Sequence, residues 1–77
     1  MSENRPLDIV HKSLDKEVIV ILKDGRTIKG TLIGYDTDLN LSIGNAEVSS
    51  GDTKKMLGTV VIRKNNVRSF SPQDMLQ

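Results

Sequence analysis

The apolar run at residues 18–22 (VIVIL) constrains the fold most, because its β-branched composition is typical of a β-strand. The polar residues 23–26 (KDGR) follow it, and a second apolar segment begins at Thr27. An Asp-Gly pair between two such segments is a strong short-range signal for a β-hairpin. The chain is therefore predicted to contain an antiparallel sheet that starts with this hairpin.

Hydrophobic alternation and the turns between apolar segments predict four further strands. The second strand contains Gly30 and Gly34, and glycine within a strand usually marks a bend or a close backbone approach. From Leu39 onward, apolar and polar residues alternate as in a half-buried strand. The polar residues 45–55 are either a loop or the exposed tip of a long hairpin. The five predicted strands are residues 17–23, 26–35, 38–47, 56–63 and 67–71.

A short helix is predicted before the strands, at residues 6–14. Leu7, Val10 and Leu14 recur at helical spacing, and Pro6 suits a first helical turn. A helix of this length is not stable alone, so it must pack on the sheet.

These elements predict a mainly β fold in a single domain of residues 1–77. A short N-terminal helix precedes a strongly bent, five-stranded antiparallel sheet, which forms a small open barrel of SH3-like or OB-like type. The position of the helix before the strands favours the SH3-like type. An open barrel leaves free edges, and a head-to-tail contact between the edges of two subunits closes into a ring or continues as a filament.

Size and composition also favour self-association. A chain of 77 residues rarely gains enough stability from one core alone. There is no cysteine, which excludes a disulfide framework and a cysteine zinc site, and the single histidine, His11, excludes a multi-histidine metal site. We therefore expect no cofactor, and we expect oligomerisation to supply the missing stability.

The net charge of +1 neither indicates nor excludes a nucleic-acid partner, since a local basic patch can be repeated around an oligomer. No apolar run approaches the roughly 18 residues of a membrane helix. The first residues (MSENRP) carry no signal-peptide pattern. The sequence thus predicts a soluble, cytoplasmic protein without a membrane partner.

Two separated motifs resemble those of the Sm and Sm-like (LSm) family of RNA-binding proteins, archaeal members in particular. The matching positions are Asp24-Gly25-Arg26, Gly30, Gly34, Tyr35-Asp36, Leu39-Asn40-Leu41 and residues 57–63 (LGTVVIR). The resemblance implies a ring, usually a heptamer, with a hexamer as the alternative. It implies that single-stranded, uridine-rich RNA binds at the inner rim of the pore, and that the ring is a scaffold or chaperone in RNA processing.

The resemblance also implies roles for three residues of the base pocket. Asn40 matches the asparagine that reads the base, Asp36 matches the carboxylate that orients it, and Arg63 matches the arginine that closes the pocket. Spacing alone favours an ordinary turn asparagine for Asn40 and a solvated strand-end arginine for Arg63.

Three positions next to these pocket residues in the sequence differ from the family pattern. Asp38 stands where histidine or an aromatic residue is common, so the stacking of a base is lost and uridine binding is expected to be weaker or the base preference different. Its carboxylate could instead accept from a base or pair with Arg63. Lys64 stands where glycine is usual, which adds a cation and predicts a differently shaped turn. Asn65 stands where aspartate is common.

Other interpretations remain open at this stage. Arg5, His11 and Tyr35 could form a second RNA surface, or could be ordinary helix and packing residues. A structural ring with a weakened RNA site is the alternative function. An enzyme is disfavoured, because His11 lies on the predicted helix, away from the carboxylates of Asp36 and Asp38, and no nucleophile–base pair is visible.

Overall fold

The computed structural model describes residues 6–73 and contains one helix and five strands within them. The strands form one antiparallel sheet in the order β4-β3-β2-β1-β5, which places β4 and β5 at the two edges. The predicted fold class is confirmed: a short helix precedes a five-stranded antiparallel sheet. The elements are α1 (Pro6–Lys12), β1 (Glu17–Leu22), β2 (Thr27–Tyr35), β3 (Leu41–Ser50), β4 (Thr53–Ile62), a 3₁₀ turn (Lys64–Asn66) and β5 (Val67–Pro72).

The core lies on one face of the sheet because apolar residues alternate along each inner strand. In β1, Val18, Val20 and Leu22 are buried while the residues between them are partly exposed. The helix adds Val10 to this core, and Leu14 packs against it from the following turn. The other buried apolar residues are Ile28, Leu32, Leu41, Ile43, Ala46 and Ile62.

Gly30 allows β2 and β3 to approach closely at the bend. A Cβ atom at this position would lie 2.6 Å from Cγ2 of Ile43 and 2.7 Å from the backbone oxygen of Gly44. The β2–β3 pairing shifts register at Gly30, between Lys29 and Thr31. At Gly34 the nearest atom would be 3.9 Å away, so the steric need for glycine in β2 is specific to Gly30.

The β3–β4 hairpin differs from the prediction at both of its ends: it is longer at its tip and shorter at its open end. The polar residues 45–55 are the tip of a long hairpin, because Ser50 pairs with Thr53 across a two-residue turn that begins with Gly51 at φ +59°. Strands β3 and β4 therefore meet near residue 51 instead of ending at 47 and beginning at 56. At its other end, β3 begins at Leu41, not at residue 38, because residues 36–40 form a turn.

Helix α1 ends at Lys12, two residues earlier than predicted. Residues 13–16 turn the chain into β1, and Asp15 adopts a left-handed conformation with φ +66°. The N–H of Asp15 donates to the carbonyl oxygen of Leu32 at 2.8 Å, which fixes this turn against β2. Within residues 6–73, no helix is long and apolar enough to span a membrane.

The edge strand β4 carries apolar side chains that the subunit leaves uncovered. Met56 and Val61 are each 68% exposed, and Leu57 is 49% exposed. Strand β4 pairs only with β3, and β5 only with β1, within the described part of the chain. Both edges are therefore available for pairing with another chain.

Candidate nucleic-acid interface

The carboxylate of Asp36 organises the turn between β2 and β3. Its Oδ1 accepts hydrogen bonds from the backbone N–H groups of Asp38 at 2.9 Å and of Asn40 at 3.0 Å. Its Oδ2 accepts from Nδ2 of Asn40 at 3.1 Å. Leu39 adopts φ +61°, and its N–H donates to the carbonyl oxygen of Asp36. A short polar side chain that binds its own backbone in this way holds a turn in one conformation.

Hydrogen bonding also sets the charge state of Asp36. The backbone N–H of Asn40 is the largest cause that lowers the pKa of this carboxyl below its ordinary value of 3.8, and the Asn40 side chain adds to it. Hydrogen bonds to the charged form favour that form. Asp36 is therefore ionised at neutral pH and presents the Asn40 amide in one orientation.

A second turn, between β4 and β5, meets the Asn40 side chain from the other direction. The backbone N–H of Lys64 donates to Oδ1 of Asn40 at 3.2 Å. The 3₁₀ turn that begins at Lys64 is closed by the N–H of Asn66, which donates to the carbonyl oxygen of Arg63 at 2.9 Å. Asn40 thus joins the two turns that carry all the predicted pocket residues.

The remaining predicted pocket residues lie exposed on these same turns. Asp38 is in the first turn, and Arg63 and Asn65 are in the second. Within residues 6–73, neither Asp38 nor Arg63 forms an ion pair, so the suggested pairing between them is not present in the subunit. No residue from Arg63 to Asn66 has a positive φ, so Lys64 occupies the usual glycine position without backbone strain.

His11 and Tyr35 are in direct contact at the end of α1. Nδ1 of His11 and the hydroxyl of Tyr35 lie 2.5 Å apart, and the two rings meet edge to face at 81° with centroids 6.0 Å apart. Tyr35 directly precedes Asp36, so this pair borders the first turn. Arg5, the third residue of the predicted second surface, lies outside the described residues.

Sequence reasoning missed two cations that the fold brings next to the pocket. Lys23 and Arg68 line one groove of about 530 Å³ together with Lys64 and Asn65. These two residues belong to distant parts of the chain and form no recognisable sequence motif, so their proximity becomes apparent only in the folded structure. Among residues 6–73, no group of three or more histidine, cysteine, aspartate or glutamate residues is arranged to hold a metal ion.

Comparison with known proteins identifies the family. The profile of the LSM domain matches residues 8–72, and the chain belongs to this family of Sm-like proteins. A protein of Thermococcus sibiricus named as an snRNP Sm-like protein is 51% identical over 72 residues, which cover 92% of this chain and 95% of that protein. A Pyrococcus furiosus protein of the same name is 52% identical over 71 residues, covering 91% and 93%.

Solved Sm structures share the fold over nearly the whole chain. The Pyrococcus abyssii Sm protein, solved in complex with a uridine heptamer, superimposes with a TM-score of 0.83 at 48% identity, covering 90% of this chain and 99% of that one. The Pyrobaculum aerophilum SmAP1 heptamer gives a TM-score of 0.83 at 31% identity, covering 92% and 96%. The resemblance predicted from the sequence motifs is therefore confirmed.

Proposed function

We propose that this chain assembles with copies of itself into a heptameric ring that binds single-stranded, uridine-rich RNA around its pore. This proposal rests on the side-chain amide of Asn40, which is clamped, that is, hydrogen-bonded to Asp36 on one side and to the backbone of Lys64 on the other. It is supported by the uridine heptamer bound to the Pyrococcus abyssii relative and by the heptameric state of the Pyrobaculum aerophilum relative.

The clamped amide still has the groups needed to read a base. An asparagine side chain offers two N–H donors and two acceptor lone pairs. Asp36 uses one donor and Lys64 uses one lone pair, so one donor and one lone pair remain. This pair of groups complements the alternating acceptor and donor positions on the edge of uracil. Asn40 would therefore read the base while Asp36 sets its orientation.

The other residues of the two turns complete the proposed site. The guanidinium of Arg63 can stack on a base face and meet a phosphate. Lys64 and Asn65 form the closing turn, and Asp38 stands at the rim of the pocket. The protein would act by holding RNA, as a scaffold or chaperone in cytoplasmic ribonucleoproteins, without catalysing a reaction.

Ring formation is supported by the two edge strands. In the proposed head-to-tail contact, β4 of one subunit pairs with β5 of the next, and this contact repeats until the ring closes. Pairing would satisfy the free backbone groups of both edges and cover exposed apolar side chains of β4, of which Val61 is among the most exposed.

Fluorescence anisotropy with labelled oligouridine and oligoadenosine tests the RNA site. We expect the unmodified ring to prefer oligouridine, and Asn40→Ala to weaken that binding by about tenfold or more, which corresponds to at least about 1.4 kcal/mol. Thr37→Ala is the matched control, because Thr37 lies in the same turn and its side chain makes no hydrogen bond within the described residues. An assembled ring that binds neither oligonucleotide would refute the proposal.

A structural ring with an altered base pocket is the second candidate, and the exposed Asp38 favours it. The carboxylate of Asp38 accepts no hydrogen bond from residues 6–73, and it offers no face for base stacking. Asp38→His separates the candidates. Oligouridine binding that appears only in this variant would show that the pocket is intact but tuned away from uridine, whereas binding by the unmodified ring supports the first candidate.

His11 and Tyr35, with Arg5, are proposed as a second RNA surface on the helix side. The side-chain rings of His11 and Tyr35 contact each other next to the turn of Asp36, and a second base would stack on one of these two rings. Tyr35→Ala should then weaken the binding of RNA long enough to reach both surfaces more than it weakens the binding of a short oligouridine.

A further inference from the structure

One groove of the subunit is bordered by three cations and by no carboxylate. Lys23 follows β1, Lys64 opens the 3₁₀ turn and Arg68 lies in β5, and all three line the groove of about 530 Å³. Within residues 6–73, none of the three forms an ion pair. Three cations without an ion-pair partner on one groove create a local positive field, which the small net charge of +1 does not indicate.

We propose that Lys23, Lys64 and Arg68 form a phosphate-binding rim, which holds the RNA backbone beside the base pocket. This inference rests on the proposed function, since it assigns the backbone contacts of the same RNA. It also extends the site to Lys23 and Arg68, which neither the sequence motifs nor the two pocket turns identify.

Lys64 is the residue that connects the rim to the base pocket. Its backbone N–H is bonded to the Asn40 side chain, so its ammonium group extends from a point adjacent to the base-reading amide. The phosphates that flank a base held by Asn40 therefore come within reach of this cation. The bond to Asn40 uses only backbone atoms of Lys64, which leaves the side chain free to follow the phosphate.

The nearby carboxylates leave this positive field largely intact. Asp24, next to Lys23 in sequence, binds Nε of Arg26 at 2.8 Å. Asp36 accepts three hydrogen bonds within its own turn. Asp38 has no hydrogen-bond or ion-pair partner for its carboxylate among residues 6–73, but it does not line the groove. The rim can therefore offset the repulsion between Asp38 and phosphate.

The groove is also lined by apolar side chains, here called its floor, and these offer no group that binds a phosphate. Val67 and Phe70 of β5 lie on this floor, next to the free strand edge where the proposed ring places β4 of the neighbouring subunit. Phosphates would then contact the three cations at the rim and leave the floor to the neighbouring chain.

The salt dependence of oligouridine binding tests the rim. A phosphate contact of single-stranded nucleic acid adds about 0.7 to the slope of log affinity against log salt concentration. We expect Lys64→Gln to reduce this slope by about 0.7 or more and to weaken binding at least about threefold at low salt, with a smaller loss at high salt. The loss should be equal for oligouridine and oligoadenosine, since phosphate contacts carry no base information.

Control variants separate this effect from a general loss of charge or of assembly. Lys54→Gln removes an exposed lysine from the β3–β4 hairpin, outside the groove, and should leave the slope unchanged. Lys23→Gln should repeat the effect of Lys64→Gln. Arg68→Gln should do so as well, provided that light scattering shows an intact ring, because Arg68 lies on an edge strand.

The outcomes distinguish failure of the rim from failure of the RNA site. If the unmodified ring binds oligouridine and Asn40→Ala removes that binding, but Lys64→Gln and Lys23→Gln keep the original slope, the rim is refuted and the base site stands. If the unmodified ring binds no RNA at any salt concentration, the proposed function fails and the rim fails with it.

Discussion

Oδ1 of Asn40 accepts the backbone N–H of Lys64 at 3.2 Å, a hydrogen bond between residues that are 24 positions apart in sequence. The same side chain donates to Asp36, so its amide plane is fixed by the β2–β3 turn and by the β4–β5 turn together. A displacement of either turn would therefore rotate the group that is proposed to read the base.

Asn40→Asp should damage the site more than the loss of one hydrogen-bond donor suggests. The substitution replaces Nδ2, which lies 3.1 Å from Oδ2 of Asp36, by a second negatively charged oxygen. Two carboxylates at this separation share one proton, so the pKa of the pair should rise. We expect oligouridine affinity to fall by about tenfold or more at neutral pH and to recover in part at pH 5.

The control for this prediction is Asn66→Asp, which introduces the same charge on the adjacent turn. The Asn66 side chain makes no hydrogen bond within the described residues. An equal loss of affinity in both variants would mean that added negative charge alone repels the RNA, and would contradict a special role for the Asn40–Asp36 contact.

Asp36 should stabilise the subunit in a pH-dependent manner. Its pKa is lowered from 3.8 in the folded protein, chiefly by the backbone N–H of Asn40, so its contribution is present above pH 3.8 and is lost as the pH falls through the folded value. We expect the stability difference between the unmodified protein and Asp36→Asn to be constant from neutral pH down to about pH 5 and to shrink below about pH 4.

Chemical unfolding of both proteins at several pH values measures this difference. The comparison removes the separate effect of Asp24, whose pKa is also lowered, chiefly by the backbone N–H of Arg26, and which is present in both proteins. A difference that stays constant down to pH 3 would show that the carboxylate of Asp36 makes no charge-dependent contribution to the turn.

The strands could be predicted where burial alternates along the chain, as in Val18, Val20 and Leu22. The start of β3 could not, because Leu39 fits the apolar alternation but adopts φ +61° in a turn held by Asp36. Hydrogen bonds from a side chain to the nearby backbone compete with the backbone hydrogen bonds of a sheet. The alternation of apolar and polar residues does not predict such bonds. The strand prediction therefore began three residues too early, at residue 38 instead of Leu41.

In the candidate site, too, some residues could be predicted from the sequence and others could not. The family motifs identify Asn40 and Arg63, but the bond from Lys64 to Asn40 depends on how two distant turns meet in space. Lys23 and Arg68 border the groove only because β5 pairs with β1. Long-range contacts between turns depend on sheet register and bulges, which the local sequence pattern does not determine.

Gly30→Ala should destabilise the fold, whereas Gly34→Ala should not. A methyl group at position 30 would lie 2.6 Å from a side-chain carbon of Ile43 and 2.7 Å from the backbone oxygen of Gly44, so β3 would have to shift. Overpacking of this kind costs about 1–3 kcal/mol. At position 34 the nearest atom is 3.9 Å away, and the free energy of unfolding should change by less than about 0.5 kcal/mol.

Chemical unfolding of the two variants side by side provides the measurement, and each serves as the control for the other. Both replace glycine by alanine in β2, so the change in the entropy of the unfolded chain is the same. Equal stability of the two variants would show that the bend does not depend on the absence of a side chain at position 30.

Stability should depend on protein concentration if the ring supplies what the small core lacks. The subunit has a mass of 8.5 kDa, and light scattering should give about seven times this mass. Because assembly stabilises only the folded state, the midpoint of thermal unfolding should rise between about 1 µM and about 100 µM protein. The ring would be contradicted if light scattering gave a mass of only 8.5 kDa in solution and the midpoint of thermal unfolding did not depend on protein concentration. The exposed edge of β4 would then have to be covered by a different chain.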